Sequence, residues 1–426
     1  MALGKKPIDI VNEGTHQLLV KADHWKRIPL SKVAKVQNGF AFSSDNFSKS
    51  DGVPLIRIRD IDKKITVDKY NGSYNKDYIV NKGDILVGMD GDFNVAKWQG
   101  ENALLNQRVC RLIPYSDGYN PNFLFLCLQP YLNAINEETS SVTVKHLSSR
   151  TIEEIPLPYP DRDEQDKIVE KIEELFSELD KGIENLKTAQ QQLIVYRQAV
   201  LKCAFDGKLT NGNVKDGELP QRWKWAKIKD VAKVGTGATP LKSNNAYYEN
   251  GTIPWVTSGA LNDDFVTEAT DYVTAKALKE TNLTVYPKHT LLLAMYGEGK
   301  TRGKCSELHI EAATNQAIAA IYFEGFDPSL KPYLKYFLLK NYNDIRRQSS
   351  GGVQPNINLG IVKNLIFPLA PPTEQIQVVQ EIESRLSVCD KMEETIAASL
   401  QRSEALLQSI LKRAFEGKLV KTIYSD

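Results

Sequence analysis

Residues 164–209 read EQDKIVEKIEELFSELDKGIENLKTAQQQLIVYRQAVLKCAFDGKL, and residues 374–419 read EQIQVVQEIESRLSVCDKMEETIAASLQRSEALLQSILKRAFEGKL. Glu164-Gln165 opens the first stretch, and Ala204-Phe205-Asp206-Gly207-Lys208-Leu209 closes it. Glu374-Gln375 and Ala414-Phe415-Glu416-Gly417-Lys418-Leu419 do the same for the second, at an offset of 210 at both ends. The regions in front repeat as well. Trp25-Lys26 and Val33-Ala34-Lys35-Val36 return as Trp223-Lys224 and Val231-Ala232-Lys233-Val234, offset by 198. Asn106-Gln107 returns as Asn315-Gln316, offset by 209. Two diverged units, each followed by a long helix, imply internal two-fold pseudosymmetry. Such symmetry suits a ligand with two separated half-sites, of which duplex DNA is the commonest.

The long stretches carry a seven-residue stripe. Ile172, Leu179, Leu186, Leu193 and Val200 share one heptad position, and Leu175, Gly182, Ala189, Tyr196 and Cys203 its partner. Five heptads predict a coiled-coil seam. In the second copy Ile382, Cys389, Ile396 and Ile410 hold the stripe and Ser403 interrupts it. Helix one leaves the first unit and must reach the second. Helix two can pair with it only by running back, so the pair is expected to be antiparallel, with residue 426 ending near the first unit. About 42 residues at 1.5 Å each span roughly 60 Å.

Outward from the helices, the chain predicts an α+β molecule. Two pseudo-symmetric mixed α/β domains (residues 1–160 and 211–371) are joined by two long helices (161–210 and 372–426) that form an antiparallel coiled coil. In the first domain Val53-Pro54-Leu55-Ile56-Arg57-Ile58-Arg59 alternates like a half-buried strand. Asp84 to Val87 and Val109 to Ile113 are short apolar runs between turns, and Asn122 to Leu132 reads as a helix after Pro121. Ile155-Pro156-Leu157-Pro158-Tyr159-Pro160, like Phe367 to Pro372, is expected to stop regular structure. The second domain matches piece by piece: Ile253-Pro254-Trp255-Val256 to Val53-Pro54-Leu55-Ile56, and Lys288–Met295 to Lys82–Met89.

Bulk composition is that of a globular protein: 426 residues, 42% hydrophobic and 25% charged. No apolar run approaches the roughly 18 residues that span a membrane, and no signal peptide is expected. Cys110, Cys127, Cys203, Cys305 and Cys389 form no C-x-x-C pair, which predicts reduced thiols in a cytoplasmic protein. The five histidines are dispersed in sequence, so no metal centre is expected. Net charge is +1, but residues 162–208 and 372–418 carry −2 each, leaving +5 elsewhere. That excess permits phosphate contact and fits a protein that grips DNA together with partners.

Four segments imitate three enzyme motifs. Ala294-Met295-Tyr296-Gly297-Glu298-Gly299-Lys300-Thr301 approaches the phosphate-loop pattern G-x-x-x-x-G-K-S/T, with Ala294 in place of the first glycine and no helix start behind it. It reads as a DNA-facing loop or an ordinary solvated turn. Asn120-Pro121-Asn122-Phe123 lacks the second proline of an amino-methyltransferase pocket and reads as a helix start. Asp206-Gly207-Lys208 and Glu416-Gly417-Lys418 mimic a nuclease D/E-x-K but read as helix stops with left-handed glycine.

The doubled arrangement resembles the specificity subunit of type I restriction–modification enzymes. The proline exits, the Glu-Gln helix starts and the Ala-Phe-x-Gly-Lys-Leu helix ends carry the likeness. So do Gly235-Thr236-Gly237-Ala238-Thr239-Pro240 and Thr314-Asn315-Gln316-Ala317. The likeness covers nearly the whole chain. It implies two target-recognition domains that each read half of a split DNA sequence, and helices that separate the halves and dock two methyltransferase subunits. Restriction subunits complete the assembly. It further implies no cofactor in this chain, with S-adenosylmethionine, ATP and magnesium on the partners. In the first domain Val36-Gln37-Asn38-Gly39-Phe40-Ala41-Phe42 stands where the Gly-Thr-Gly-x-Thr-Pro turn belongs, and only Gly39 matches, so a different local backbone is expected there.

Base edges are read by Arg, Lys, Asn and Gln, and phosphates are held by Ser, Thr and Lys. Candidates in the first domain are Arg57, Arg59, Asn94, Lys97, Lys145 and His146. In the second they are Thr239, Lys242, Lys300, Arg302, Lys304, Ser349, Ser350 and Gln354. Asn106-Gln107 and Asn315-Gln316 read equally as buried structural residues or as DNA readers. The resulting expectation is a non-catalytic DNA-recognition subunit with no membrane partner. The alternatives are an enzyme with a cryptic methylase or nuclease centre, and a coiled-coil scaffold that binds no DNA.

Overall fold

A computed structural model describes residues 4–14, 16–116, 118–139, 145–296, 301–342 and 357–420. The chain divides into two compact units, Met1–Leu186 with Ala398–Asp426, and Lys187–Ala397. Each unit holds one globular domain and a part of each long helix.

The first domain runs α1 (Pro7–Glu13), β1 (Lys26–Pro29), β2 (Ala34–Asn38), β3 (Phe47–Ser48), β4 (Val53–Ile56) and β5 (Asp68–Tyr70). It continues with β6 (Ile79–Val80), β7 (Ile85–Gly88), β8 (Val95–Lys97), β9 (Ala103–Leu105) and β10 (Val109–Pro114). Then come α2 (Pro121–Glu138), α3 (Ser149–Glu153), β11 (Pro156–Tyr159) and the long helix α4 (Arg162–Phe205). The second domain runs β12 (Lys224–Lys227), β13 (Lys233–Thr236), β14 (Ile253–Val256), β15 (Phe265–Val266), β16 (Asp271–Val273) and α5 (Ala275–Glu280). After these lie β17 (Val285–Tyr286), β18 (Leu291–Ala294), β19 (Cys305–Leu308), β20 (Ala312–Thr314) and β21 (Ile318–Tyr322). The chain closes with α6 (Lys331–Lys340), α7 (Leu359–Lys363), β22 (Ile366–Leu369) and α8 (Pro372–Phe415).

The duplication extends to sheet topology. Strands β2-β10-β7-β8 form one sheet, and β13-β21-β18-β19 repeat its order, with β15 added at the edge. A second sheet, β5-β4-β9-β6, is repeated as β16-β14-β20-β17, with β3 added in the first copy. In both copies the central pair of this sheet is parallel, β4 with β9 and β14 with β20. Strand β7 is unbroken apolar because both of its faces are covered. Ile85 and Val87 join the core beneath α2, and Leu86 joins the core shared with the second sheet. In β18, Leu291 and Leu293 face one way and Leu292 and Ala294 the other.

Three expectations change in detail. Strand β4 stops at Ile56, and Arg57 leads into a 3-10 turn, Ile58–Asp60. Leu55 and Ile56 are both fully buried, because β4 is flanked on both edges and covered on both faces. The proline exits are strands: β11 pairs with β1 and β22 with β12. A two-stranded ribbon asks each strand for one neighbour only, so the missing proline N–H can face outward. The helix expected from Asn122 is α2, which runs on past Pro130 to Glu138.

The long helices end as their motifs require. Gly207 (φ 74°) and Gly417 (φ 68°) adopt left-handed backbone. Lys208 N bonds Cys203 O at 2.9 Å and Gly207 N bonds Ala204 O at 3.1 Å. Lys418 N and Gly417 N repeat this pattern on Arg413 O and Ala414 O. These paired bonds satisfy the last carbonyls of each helix.

The helices run antiparallel. In the second unit Arg197 on α4 bonds Asp390 at 2.5 Å and Glu393 at 3.1 Å on α8. Further along α4, Val200 to Phe205 share a core with the earlier residues Val378 and Ile382 of α8. In the first unit the start of α4 (Ile168, Val169, Ile172) shares a core with the end of α8 (Ile410, Ala414, Phe415), and Leu419 and Val420 pack against it. One heptad column carries the seam. Ile172, Leu193, Val200, Ile382, Cys389, Ile396 and Ile410 are buried, and Leu179, Leu186 and Ser403 are half-buried. The partner column is looser than the heptad pattern predicts: Gly182 and Tyr196 are exposed. A two-helix pair buries a narrow stripe and leaves its flanks open.

Phe415 is 1% exposed and meets Phe123 edge-on at 6.3 Å. Phe415→Ala is expected to cost about 3–5 kcal/mol, seen as a lower denaturant midpoint for the first domain by tryptophan fluorescence of Trp25.

Candidate nucleic-acid interface

In the first domain the ends of β2, β4, β7 and β9 release their loops into one cluster, laced by backbone bonds. Phe40 N donates to Leu105 O at 3.0 Å, Gln107 N to Phe40 O at 2.9 Å, and Asn106 N to Ile56 O at 3.4 Å. Met89 N donates to Arg108 O and Leu147 N to Met89 O, at 2.9 and 2.7 Å. The segments after Gly39, Ile56, Gly88 and Leu105 therefore meet the segment at His146.

Cationic side chains crown this cluster. Arg57 and Arg59 both reach Asp68 Oδ2, at 3.0 and 2.6 Å. His146 Nδ1 lies 2.7 Å from Asp90 Oδ1, and Arg108 lies 3.2 Å from the same imidazole nitrogen. Arg108 has left-handed backbone (φ 73°) and an exposed side chain. Sequence reading passed over it, although it directly follows the repeated Asn106-Gln107 pair. Asn94 is exposed on the β7–β8 loop. Lys145 turns inward, donating to Asn136 O at 2.6 Å. Lys97 belongs elsewhere. It donates to Asn122 Oδ1 at 2.6 Å and lines a 460 Å³ pocket with Phe125, Glu173 and Asp180 of α2 and α4. Burial pulls its pKa below the ordinary value against the opposing charge of Glu173.

The second domain builds the same cluster with other chemistry. Ala238 N donates to Thr314 O at 3.1 Å, matching Phe40 and Leu105. Asn315 N donates to Val256 O at 3.0 Å, matching Asn106 and Ile56. Met295 N donates to Ala317 O at 2.7 Å, matching Met89 and Arg108. Around Gly39 the two backbones agree only in part: Gly39 N donates to Val109 O at 3.0 Å, whereas the matching carbonyl of the second domain, Ile318 O, accepts from Thr236 Oγ1 at 2.8 Å. A Cβ on Gly39 would overlap the carbonyl of Asn106, and one on Gly237 the carbonyl of Thr314, the counterpart of Leu105, so both turns need glycine, against carbonyls one position apart. Thr239 Oγ1 donates to Gln316 Oε1, and Lys242 is exposed beyond it. Lys300, Ser349, Ser350 and Gln354 lie outside the described residues, as does half of the phosphate-loop-like segment. Arg302 is half-buried in the β18–β19 connection. Lys304 departs from expectation as Lys97 does. It bonds Asn262 Oδ1 at 2.9 Å and lines a 380 Å³ pocket with Arg197, Gln198 and Tyr342. Both lysines lie at or beside the β8 or β19 ladder, whose outward face looks toward the long helices.

The Asn-Gln pairs split. Asn106 is buried and Asn315 half-buried, its Oδ1 accepting from Ala317 N at 3.1 Å, whereas Gln107 and Gln316 are exposed. The asparagines shape the loops and the glutamines reach the surface, Gln316 in its bond with Thr239. Asn120 is occupied in capping α2, accepting from Asn122 N at 2.7 Å and Phe123 N at 3.2 Å.

Histidines dispersed in sequence converge in space. His289 Nδ1 lies 2.9 Å and His309 Nε2 3.7 Å from Glu307 Oε1. The same oxygen accepts from Lys331 at 2.6 Å, so an ammonium already occupies the position a cation would take. Burial works to raise the Glu307 pKa, but the Lys331 and His289 hydrogen bonds outweigh it and hold the group below its ordinary 4.5. Its contribution is therefore present above pH 4.5 and fades as pH falls through the lowered value. The stability advantage of wild type over Glu307→Gln is expected to shrink between pH 5 and pH 3, measured by thermal melts across that range.

Comparison with known proteins agrees with this architecture. The family described as "Type I restriction modification DNA specificity domain" matches residues 22–188 and 220–402, and the chain belongs to it. It is a specificity subunit of the type I restriction–modification class, built for DNA target recognition. The EcoBI specificity subunit of Escherichia coli is 32% identical over 442 residues, covering 98% of this chain and 91% of that protein. The EcoDI specificity subunit of Escherichia coli is 24% identical, covering 98% and 90%. Among solved structures, the HsdS subunit from Thermoanaerobacter tengcongensis shares the fold with a TM-score of 0.60 at 17% identity, over 96% of this chain and 100% of that one. A chain from a study of complex assembly and conformational transition of the type I R-M system matches with a TM-score of 0.70 at 18% identity, over 93% and 99%. Among the described residues, no helix is long and apolar enough to cross a membrane.

Proposed function

We propose that each loop cluster reads one half of a split DNA sequence, and that the chain works as the non-catalytic subunit of a cytoplasmic complex. The observation that carries this reading is the pair of clusters. Two domains of one topology present the same loop ends, but one offers Arg57, Arg59, Arg108 and His146, and the other Thr239 and Gln316. Identical scaffolds with different hydrogen-bonding groups suit two different base sequences. The imitation enzyme motifs support a non-catalytic role, since Asn120 is spent on a helix cap and Gly207 and Gly417 on helix stops.

The long helices suit the docking of two methyltransferase subunits. Ile194, Val195, Ile376, Val388 and Met392 of the second unit and Leu406 of the first are large apolar side chains left exposed on them. The partners would carry S-adenosylmethionine, and restriction subunits would bring ATP and magnesium; this chain supplies the address.

Expression of the chain with its partner methyltransferase in a methylation-free bacterial host is expected to yield N6-methyladenine within a split motif, read by methylome sequencing. Omitting the chain should abolish it. Methylation at an unsplit site, or methylation that persists without the chain, rejects the reading.

A further inference from the structure

We propose that Arg57 and Arg59 read guanine at base edges in the half-site of the first domain, with Asp68 as the positioning residue that aims both. This deepens the DNA-recognition reading and rests on it.

The geometry begins with register. Strand β4 pairs antiparallel with β5, placing Asp68 directly opposite Leu55, two residues before Arg57. The chain then turns through Ile58–Asp60, and Arg57 N donates to Asp60 Oδ2 at 3.2 Å to close the turn. Ile58 packs into the core shared by the two sheets. Arg57 and Arg59 therefore flank an anchored residue, and both return to one oxygen, Asp68 Oδ2. The Asp68 side chain is 12% exposed, and those of the arginines are 43% and 44% exposed. Asp68 thus restrains two guanidinium groups while leaving much of each in solvent, and Asp60, 3.8 Å from Arg59, balances the remaining charge.

The duplication supplies an internal control. Thr257, Ser258, Gly259 and Ala260 occupy the places of Arg57 to Asp60 and build the same 3-10 turn, Ser258–Ala260. Asp271 stands opposite Trp255 in the same register as Asp68 opposite Leu55. Asp271 is exposed and accepts from its neighbour Thr270 at 3.2 Å. The fold therefore makes this strand, turn and acidic position without any arginine. The clamp is an addition to the first domain, not a requirement of its architecture.

A guanidinium held at one edge presents a flat row of donors at the other. Guanine offers two acceptors, O6 and N7, side by side in the major groove, and a bidentate arginine is their commonest protein partner. Restraint by Asp68 removes side-chain freedom before binding, so less is lost on contact. Lysine meets either partner as a point charge, whereas the flat fork of arginine takes O6 and N7 together; losing the fork on a guanine edge relaxes one base of the motif, while weakening a phosphate contact would weaken every sequence alike.

The test is methylome sequencing of the complex carrying Arg57→Lys or Arg59→Lys. The expected result is a guanine in one half-site of the wild-type motif, discriminated about tenfold less well by at least one variant, with the other half-site unchanged. Asp68→Asn is expected to relax the same guanine while binding to unrelated duplex holds or strengthens, because a negative charge is lost. Replacing that guanine by 7-deazaguanine in a duplex, which deletes N7, should weaken the wild-type complex and leave the lysine variant indifferent. Thermal melts should show the Arg→Lys chains folded as wild type, as the arginine-free turn Ser258–Ala260 of the second domain implies. A wild-type motif without guanine in either half, or a motif unchanged in both lysine variants, overturns the proposal. Absence of any split motif with wild type overturns the DNA-recognition reading itself.

Discussion

Each globular domain closes its hydrophobic core with the beginning of one long helix and the end of the other, and most of the architecture follows from that sharing. In the first unit Ile168, Val169 and Ile172 of α4 lie in the same cluster as Ile410, Ala414 and Phe415 of α8. In the second, Val200, Leu201, Ala204 and Phe205 meet Val378 and Ile382. The antiparallel direction is thus fixed at the domains, where aromatic and aliphatic side chains are fully buried, and the mid-helix stripe follows. It also explains why the repeated motifs sit where they do. Glu164 and Glu374 mark a helix leaving its domain, each receiving the indole N–H of Trp25 or Trp223 at 2.9 or 2.7 Å. Gly207 and Gly417 mark a helix stopping where it has been received.

Duplication separates what the fold needs from what varies upon it. The parallel central strand pairs and the bond from the segment after β9 or β20 back to β4 or β14 are the same in both copies, and both need glycine just past the end of β2 or β13. The side chains at the loop ends are not: Arg57 faces Thr257 in the comparison, Arg59 faces Gly259, and Arg108 faces Ala317. Inversions occur in the scaffold too. Lys97 pairs with Ile85 in the ladder, and Glu307 holds the equivalent place opposite Leu291. The lysine lies near Glu173 and the glutamate bonds Lys331, so each copy balances the same position with charges of opposite sign.

Much of this was legible in the residues, and the exceptions share a cause. The repeat, the helix ends, the apolar strands and the α+β class were readable because each depends on local periodicity or on a residue type with one conformational use. Lys97 and Lys304 lie against the long helices, and a cation in or beside a strand gives no sign in sequence of which face it takes. Arg108 was missed because its exposure arises from a left-handed turn that no neighbouring residue announces. The proline segments read as breaks because sequence does not show that a lone two-stranded ribbon tolerates a missing N–H.

By itself, then, the amino-acid order determined that two like domains alternate with two like helices, where each helix starts and stops, and which residue types were available to touch DNA. Those properties are local, set by backbone preference and by heptad spacing along one chain. Tertiary structure alone decided which candidates share a surface. Arg57 and Arg59 became a pair when β5 brought Asp68 opposite Leu55, and His146 joined Asp90 across 56 positions of sequence. Side-chain grouping depends on strand register between distant segments, and register is settled by the packing of the whole core.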